Sequence, residues 1–178
     1  MQVKNLNKTE CNQIYNNMYQ RCYNEKVHQI KPWYTNCIMC DEWLEDKYSF
    51  YDWINDGNFY EIDGEPTVEL DKDILVKGNN IYSPETCIFA PKSINSLFGG
   101  TMKKNDNGLP IGVLQTKNGK YKPQIRNYPD VFNTPEEAWE VWKEHKQATV
   151  IHKADEYLGK IPMKLYYAML SYEFEITD

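Results

Sequence analysis

Two aspartates flank a lysine at Asp71-Lys72-Asp73, directly after the alternating apolar and acidic run Val68-Glu69-Leu70. A polar turn follows, Lys77-Gly78-Asn79-Asn80, then a short apolar run, Cys87-Ile88-Phe89-Ala90, and a helix-like stretch that reaches Asn95. Hard divalent cations such as Mg²⁺ prefer one or two carboxylate or carbonyl oxygens and keep water in their other positions. Asp73 could hold such an ion or take a proton from water, with lower basicity than an imidazole. Lys72 could act as a base only with a strongly depressed pKa. A second set is Cys37-x-x-Cys40, which has metal-ligand spacing; a structural zinc needs four ligands, and Cys22, His28 and Cys87 are the candidates to complete it. The alternative is that these thiols pack as small buried hydrophobes. A third set is Lys120, Lys122, Gln124 and Arg126, which at even spacing share one face of a strand, with Lys117 beside them.

The elements that must position these residues are legible to different degrees. Cys11, Ile14, Tyr15, Met18, Tyr19 and Cys22 recur at spacings of three and four, which predicts a helix over residues 9–24. Residues 25–36 contain Pro32, lack periodicity and read as a loop. A short helix is expected over 49–55, stopped near Asp56-Gly57. Strands are expected over 68–75 and 87–90, with a helical turn over 93–98. Gly99-Gly100 marks a boundary. Beyond it, 111–114 and 121–126 read as strands joined by a turn containing Asn118-Gly119, a strong hairpin signal. Thr134-Pro135-Glu136-Glu137 has the chemistry of a capping box and opens a helix with Ala138, Trp139, Trp142, Val150 and Ile151 on its apolar side. Ile161-Pro162 opens another, and residues 172–176 alternate like an edge strand.

Composition bounds the class. The chain has 178 residues, 41% hydrophobic and 26% charged, which suits a globular protein of one large or two small domains. No apolar run approaches a membrane span, and the N-terminal MQVKNLNKTE lacks a signal-peptide core, so a cytoplasmic protein is expected. The five cysteines are then expected as thiols. The net charge of −6 argues against blanket nucleic-acid coating, but it is unevenly spread. Residues 40–73 hold twelve acids against Lys47 and Lys72, while 101–126 hold six bases, including Lys103 and Lys104, against Asp106. A phosphate-binding strip beside an acidic region is one reading of this pattern, and an ordinary solvated surface is the other.

Glu85-Thr86-Cys87-Ile88-Phe89-Ala90 followed by Asn95 resembles the second half of the HNH homing-endonuclease motif, and Asp71-Lys72-Asp73 stands at its strand end. Asn17-Met18-Tyr19-Gln20-Arg21-Cys22 and Cys40-Asp41-Glu42-Trp43 are similar to the upstream part of phage-encoded members. The resemblance implies a ββα core that binds Mg²⁺ or Mn²⁺ through Asp71 and Asn95 and hydrolyses phosphodiester bonds of duplex DNA. The family's general-base histidine would follow Asp71. Here Lys72 and Asp73 stand at that place, while His28, His145 and His152 lie outside the motif. The middle Asn is replaced by Thr86.

Gly112-Val113, Asn118-Gly119-Lys120-Tyr121, Gln124-Ile125-Arg126 and Phe132-Asn133-Thr134-Pro135-Glu136-Glu137-Ala138 resemble the Apetala-two/ethylene-response-factor DNA-binding domain. That resemblance implies a three-stranded antiparallel sheet packed on a helix, with Lys117, Lys120, Lys122, Gln124 and Arg126 set against DNA. Trp139 and Trp142 are expected in the core between helix and sheet. The expectation is therefore an α+β chain, with an HNH-like core and helical extension over 1–100 and a DNA-binding module over 101–178. The rival is a non-catalytic DNA-binding regulator, or an anti-defence inhibitor whose acidic surface engages a host nucleic-acid enzyme.

Overall fold

The computed structural model describes residues 1–98 and 108–177. The Gly99-Gly100 boundary and the strip residues Lys103 and Lys104 lie outside the described residues.

The N-terminal half interleaves short elements: β1 (Gln2–Val3), α1 (Lys8–Tyr23), α2 (Glu25–Ile30), a 3₁₀ turn (Pro32–Tyr34), β2 (Ile38–Met39), α3 (Asp41–Glu45), α4 (Lys47–Trp53), a π turn (Ile54–Asn58) and β3 (Tyr60–Glu61). After them come β4 (Val68–Asp71), β5 (Ile81–Tyr82), β6 (Ile88–Pro91) and α5 (Lys92–Phe98), then β7 (Val113–Gln115), β8 (Tyr121–Pro123), α6 (Pro135–Glu156) and α7 (Met163–Leu170). Among the described residues the strands pair in twos: β1–β3, β4–β6 and β7–β8 antiparallel, and β2–β5 parallel. The chain is thus mixed α+β, with small sheets set among helices.

Helix α1 begins where its cap chemistry says it should. The Asn7 side chain accepts from the Thr9 and Glu10 amides, and Glu10 reaches back to the Asn7 amide. Cys11, Tyr15, Met18 and Cys22 are buried as the spacing predicted, whereas Tyr19 is largely exposed. Residues 25–36 are not a loop. Asn24 closes α1 and at once caps α2 through Lys26 N–H, and Pro32 opens the 3₁₀ turn. Both elements are too short to leave a period in the sequence.

The strand expected over 68–75 ends at Asp71. Its Oδ1 accepts from the Asp73 and Ile74 amides at 2.8 and 2.7 Å, which turns the chain out of the ladder. β4 and β6 run in register from Val68↔Pro91 to Asp71↔Ile88, and α5 follows β6 without a break. The alternation at 172–176 reports burial of Tyr172 and Phe174, with Ile176 exposed, and no strand forms there. Tyr172 packs on Phe98 at 4.7 Å and Phe174 on Trp142 at 5.9 Å.

In the C-terminal half, Thr134 caps α6 with both capping-box bonds present. Ala138, Trp139, Trp142 and Val150 are buried as expected, but Ile151 faces outward. In place of a third strand beside β8 there is a single bridge, in which Tyr121 and Phe132 exchange backbone bonds of 2.9 and 2.8 Å. The connection between β7 and β8 turns at Thr116–Gly119 and uses Gly119 at φ +75°. The two halves share contacts: Tyr157 hydroxyl meets Ser93 at 2.8 Å and also Glu65, and Lys164 donates to the Glu85 carbonyl at 3.0 Å.

Gly112 lies buried at φ +74° against the Trp142 indole, and a Cβ there would fall 2.2 Å from ring carbons. Gly112→Ala is expected to destabilise the fold by about 2–4 kcal/mol in urea unfolding, combining left-handed strain and overpacking. A loss under about 0.5 kcal/mol would mean that the ring yields freely.

Candidate functional site

A cavity of about 320 Å³ opens between the end of β4, α5 and α1. Its lining includes Arg21 of α1, Trp33 and Tyr34 of the 3₁₀ turn, Glu69 to Asp73, and Lys92 and Asn95 of α5. The sequence separates Asp71 from Asn95 by a long connection, and the β4–β6 pairing closes that gap.

Glu69 and Asp71 alternate with the buried Val68 and Leu70 along β4, so both point away from the core side of the strand. Asn95 Nδ2 donates to Glu69 Oε2 at 2.9 Å, tying α5 to the strand. Among the described residues no hydrogen bond is donated to Asn95 Oδ1, Asp71 Oδ2 or Asp73 Oδ2. These are hard oxygen donors lining one cavity, the donor chemistry Mg²⁺ or Mn²⁺ takes. No group of three or more His, Cys, Asp or Glu side chains among the described residues is placed to hold a metal ion.

Lys72 points inward, with 4% of its side chain exposed. Its ammonium donates to Asp73 Oδ1 at 2.6 Å and to the Asn79 carbonyl at 2.7 Å. Burial opposes its charge, but the bond to Asp73 and the nearby Asp73 and Asp71 carboxylates hold its pKa above the ordinary lysine value. This is the opposite of what a lysine base requires. Burial raises the Asp71 carboxyl against the pull of its two backbone N–H bonds. Burial also raises Asp73, against Lys72 and with help from Asp71, from the ordinary 3.8 to about 6. That places Asp73 in the range an imidazole normally occupies. Arg21 lies over the Tyr34 ring at 5.6 Å; burial works against its charge, while Tyr82, Tyr34 and Glu69 raise its pKa overall.

Glu69, Arg21, Lys92 and Trp33 were not singled out in the sequence as site residues. Glu69 had a signal, its two-residue spacing from Asp71 on a strand. The others arrive by tertiary packing. His28 lies near α1 but spends its Nε2 on the Arg21 carbonyl at 2.9 Å, and it does not line the cavity.

The hairpin basics are distributed less regularly than even spacing implies. β8 ends at Pro123, Gln124 donates its amide to the Gly112 carbonyl, and a turn at Ile125–Tyr128 carries Arg126 out of strand geometry. Lys117, Lys120, Gln124 and Arg126 are exposed, Lys122 is half-buried, and Lys120 Nζ bonds Asn133 Oδ1. Of the candidate zinc ligands, Cys22 and Cys37 are buried and Cys40 is half-buried. Burial, with Cys37 adding, raises Cys22 to about 12, and burial likewise raises Cys37 and Cys40, so the neutral thiol is favoured at all three.

Between its unfolded value of 3.8 and about 6, Asp73 binds a proton more readily folded than unfolded. Its contribution to stability is therefore full below about pH 4 and is lost as pH rises through about 6. Urea unfolding of wild type and Asp73→Asn at several pH values is expected to show the difference moving by roughly 2 kcal/mol in favour of Asn between those limits. A difference independent of pH would refute the burial effect at Asp73.

Compared with protein-family models, curated proteins and solved structures, the chain matches none.

Proposed function

We propose that the chain is a DNA-binding endonuclease of the phage-encoded HNH kind, hydrolysing phosphodiester bonds of duplex DNA with Mg²⁺ or Mn²⁺. The observation that carries this reading is the gathering of Asp71, Asp73 and Asn95 with Arg21 and Lys92 around one cavity between the end of β4 and α5. Asp71 and Asn95 are the residues to hold the ion. The ion supplies neutralisation of charge at the scissile phosphate. Arg21 and Lys92 carry the positive charge that would hold the phosphate oxygens. Asp73, ionised above about pH 6, takes the proton from the attacking water. Lys72 fixes the Asp73 carboxylate through its 2.6 Å bond and keeps its own proton. The hairpin residues Lys117, Lys120, Lys122, Gln124 and Arg126 supply phosphate and base-edge contacts to the duplex.

A second reading is a non-catalytic DNA-binding regulator, or an inhibitor of a host nucleic-acid enzyme. One observation favours it: one oxygen each of Asp71 and Asp73 is already committed to the loop, to backbone amides and to Lys72. The acidic residues Glu42, Asp52 and Asp56 around Trp53 form a shallow groove that a basic protein surface would fit.

Incubation of plasmid with the pure protein separates these readings. Nicking is expected with Mg²⁺ or Mn²⁺, with a rate that rises through about pH 6 as Asp73 ionises. Asp73→Asn is expected to slow it by roughly 10²–10⁴-fold. Nicking that survives both Asp71→Ala and Asn95→Ala removes the site. No cleavage with any divalent ion, with salt-dependent DNA binding that is lost in Lys120→Glu/Lys122→Glu, establishes the regulator instead. No DNA binding at low salt leaves the inhibitor.

A further inference from the structure

The cavity has a wall that phosphate chemistry does not use. Trp33 and Tyr34 line it, with ring centroids 6.0 Å apart and planes tilted by 52°. Trp33 is 42% exposed although it is a large aromatic. It is carried by the short 3₁₀ turn Pro32–Tyr34, whose proline sets the first backbone angle. Tyr34 has the Arg21 guanidinium over its ring, so a cation and an aromatic corner sit on one side of the cavity. Asp71, Asp73 and Asn95 line the same cavity, with Lys92. At about 320 Å³ it falls at the small end of ligand pockets, which run from about 300 to 1,000 Å³.

An aromatic face beside paired cations suits a nucleobase attached to a phosphate. In a duplex the faces of each base are covered by its neighbours, and a side chain at the rim cannot stack on them. Only an unpaired base offers its face to a tryptophan. We infer that this cavity receives one unpaired nucleotide of a single-stranded DNA segment, its base stacked on Trp33 and its phosphate held by Arg21 and Lys92 beside Asp71 and Asn95. The inference rests on the nuclease reading for the meaning of the phosphate position, and it names the substrate more closely: a strand that is single or locally unpaired where the site engages it. Tyr34 is a positioning residue, since it acts by holding Arg21.

Metal-free binding tests this apart from cleavage. Fluorescence anisotropy in EDTA compares a labelled oligothymidylate of about eight nucleotides with its duplex, the length being within the usual single-strand site size. Trp33→Ala is expected to weaken single-strand binding by about tenfold and duplex binding by less than about twofold, while Trp33→Phe keeps most of the affinity. Thermal unfolding of both variants should match wild type, because Trp33 is 42% exposed. Equal effects on single strand and duplex, no effect on either, or no single-strand binding by wild type at low salt would overturn the inference. Metal-dependent nicking with no role for Trp33 would overturn the inference and leave the nuclease reading standing. A Trp33-dependent single-strand preference without nicking would do the reverse.

Discussion

Lys72 brings an ammonium into a place where 4% of its side chain meets solvent, and the surrounding loop is shaped by the need to satisfy it. Two acceptors come from the loop itself, the Asp73 carboxylate and the Asn79 carbonyl. Asn79 then donates its own amide to the carbonyls of Lys72 and Ile81 and accepts from the Ile81 amide. The charge thus pins both ends of the 72–81 connection. It sets where β5 begins and, through the parallel β2–β5 pair, where residues 38–39 lie. Removing one partner of such a buried pair typically costs about 3–5 kcal/mol, because the other charge is stranded.

The same constraint gives the cavity its electrostatic character. With Lys72 held charged, and Asp71 and Asp73 raised by burial, the cavity is less negative than three carboxylates in a row suggest. Arg21 and Lys92 add positive charge at the lining, so an anion can approach. An aspartate brought near pH 6 by burial has the basicity that a histidine has without help.

Other features show packing overriding local preference. Trp142 lies against Gly112 and meets Phe174 edge-on, so one indole joins the hairpin, α6 and the C-terminal segment. That segment alternates inward and outward because Tyr172 and Phe174 need cover. The aromatic contacts of the two rings account for the alternation, and the segment is not a strand. Tyr157 ties α6 to α5 and to the acidic turn at Glu65, joining the parts of the chain that composition would separate.

What the sequence by itself determined is local. The caps at Thr134 and the turn at Gly119 are set by side chains within four residues of the backbone they satisfy, and α1 declares its buried face through spacing. The β4–β6–α5 order was legible from short apolar runs between turn residues, though the end of β4 was not, because nothing in alternation reveals that Asp71 turns its oxygen back on its own chain. Only the tertiary structure decided that Lys72 is inside, that Asp73 is buried deeply enough to hold its proton up to about pH 6 despite the lysine beside it, and that Arg21 and Trp33 line the same cavity as Asn95. Burial and the field of distant charges belong to the packed chain, and a residue's neighbours in sequence carry no record of them.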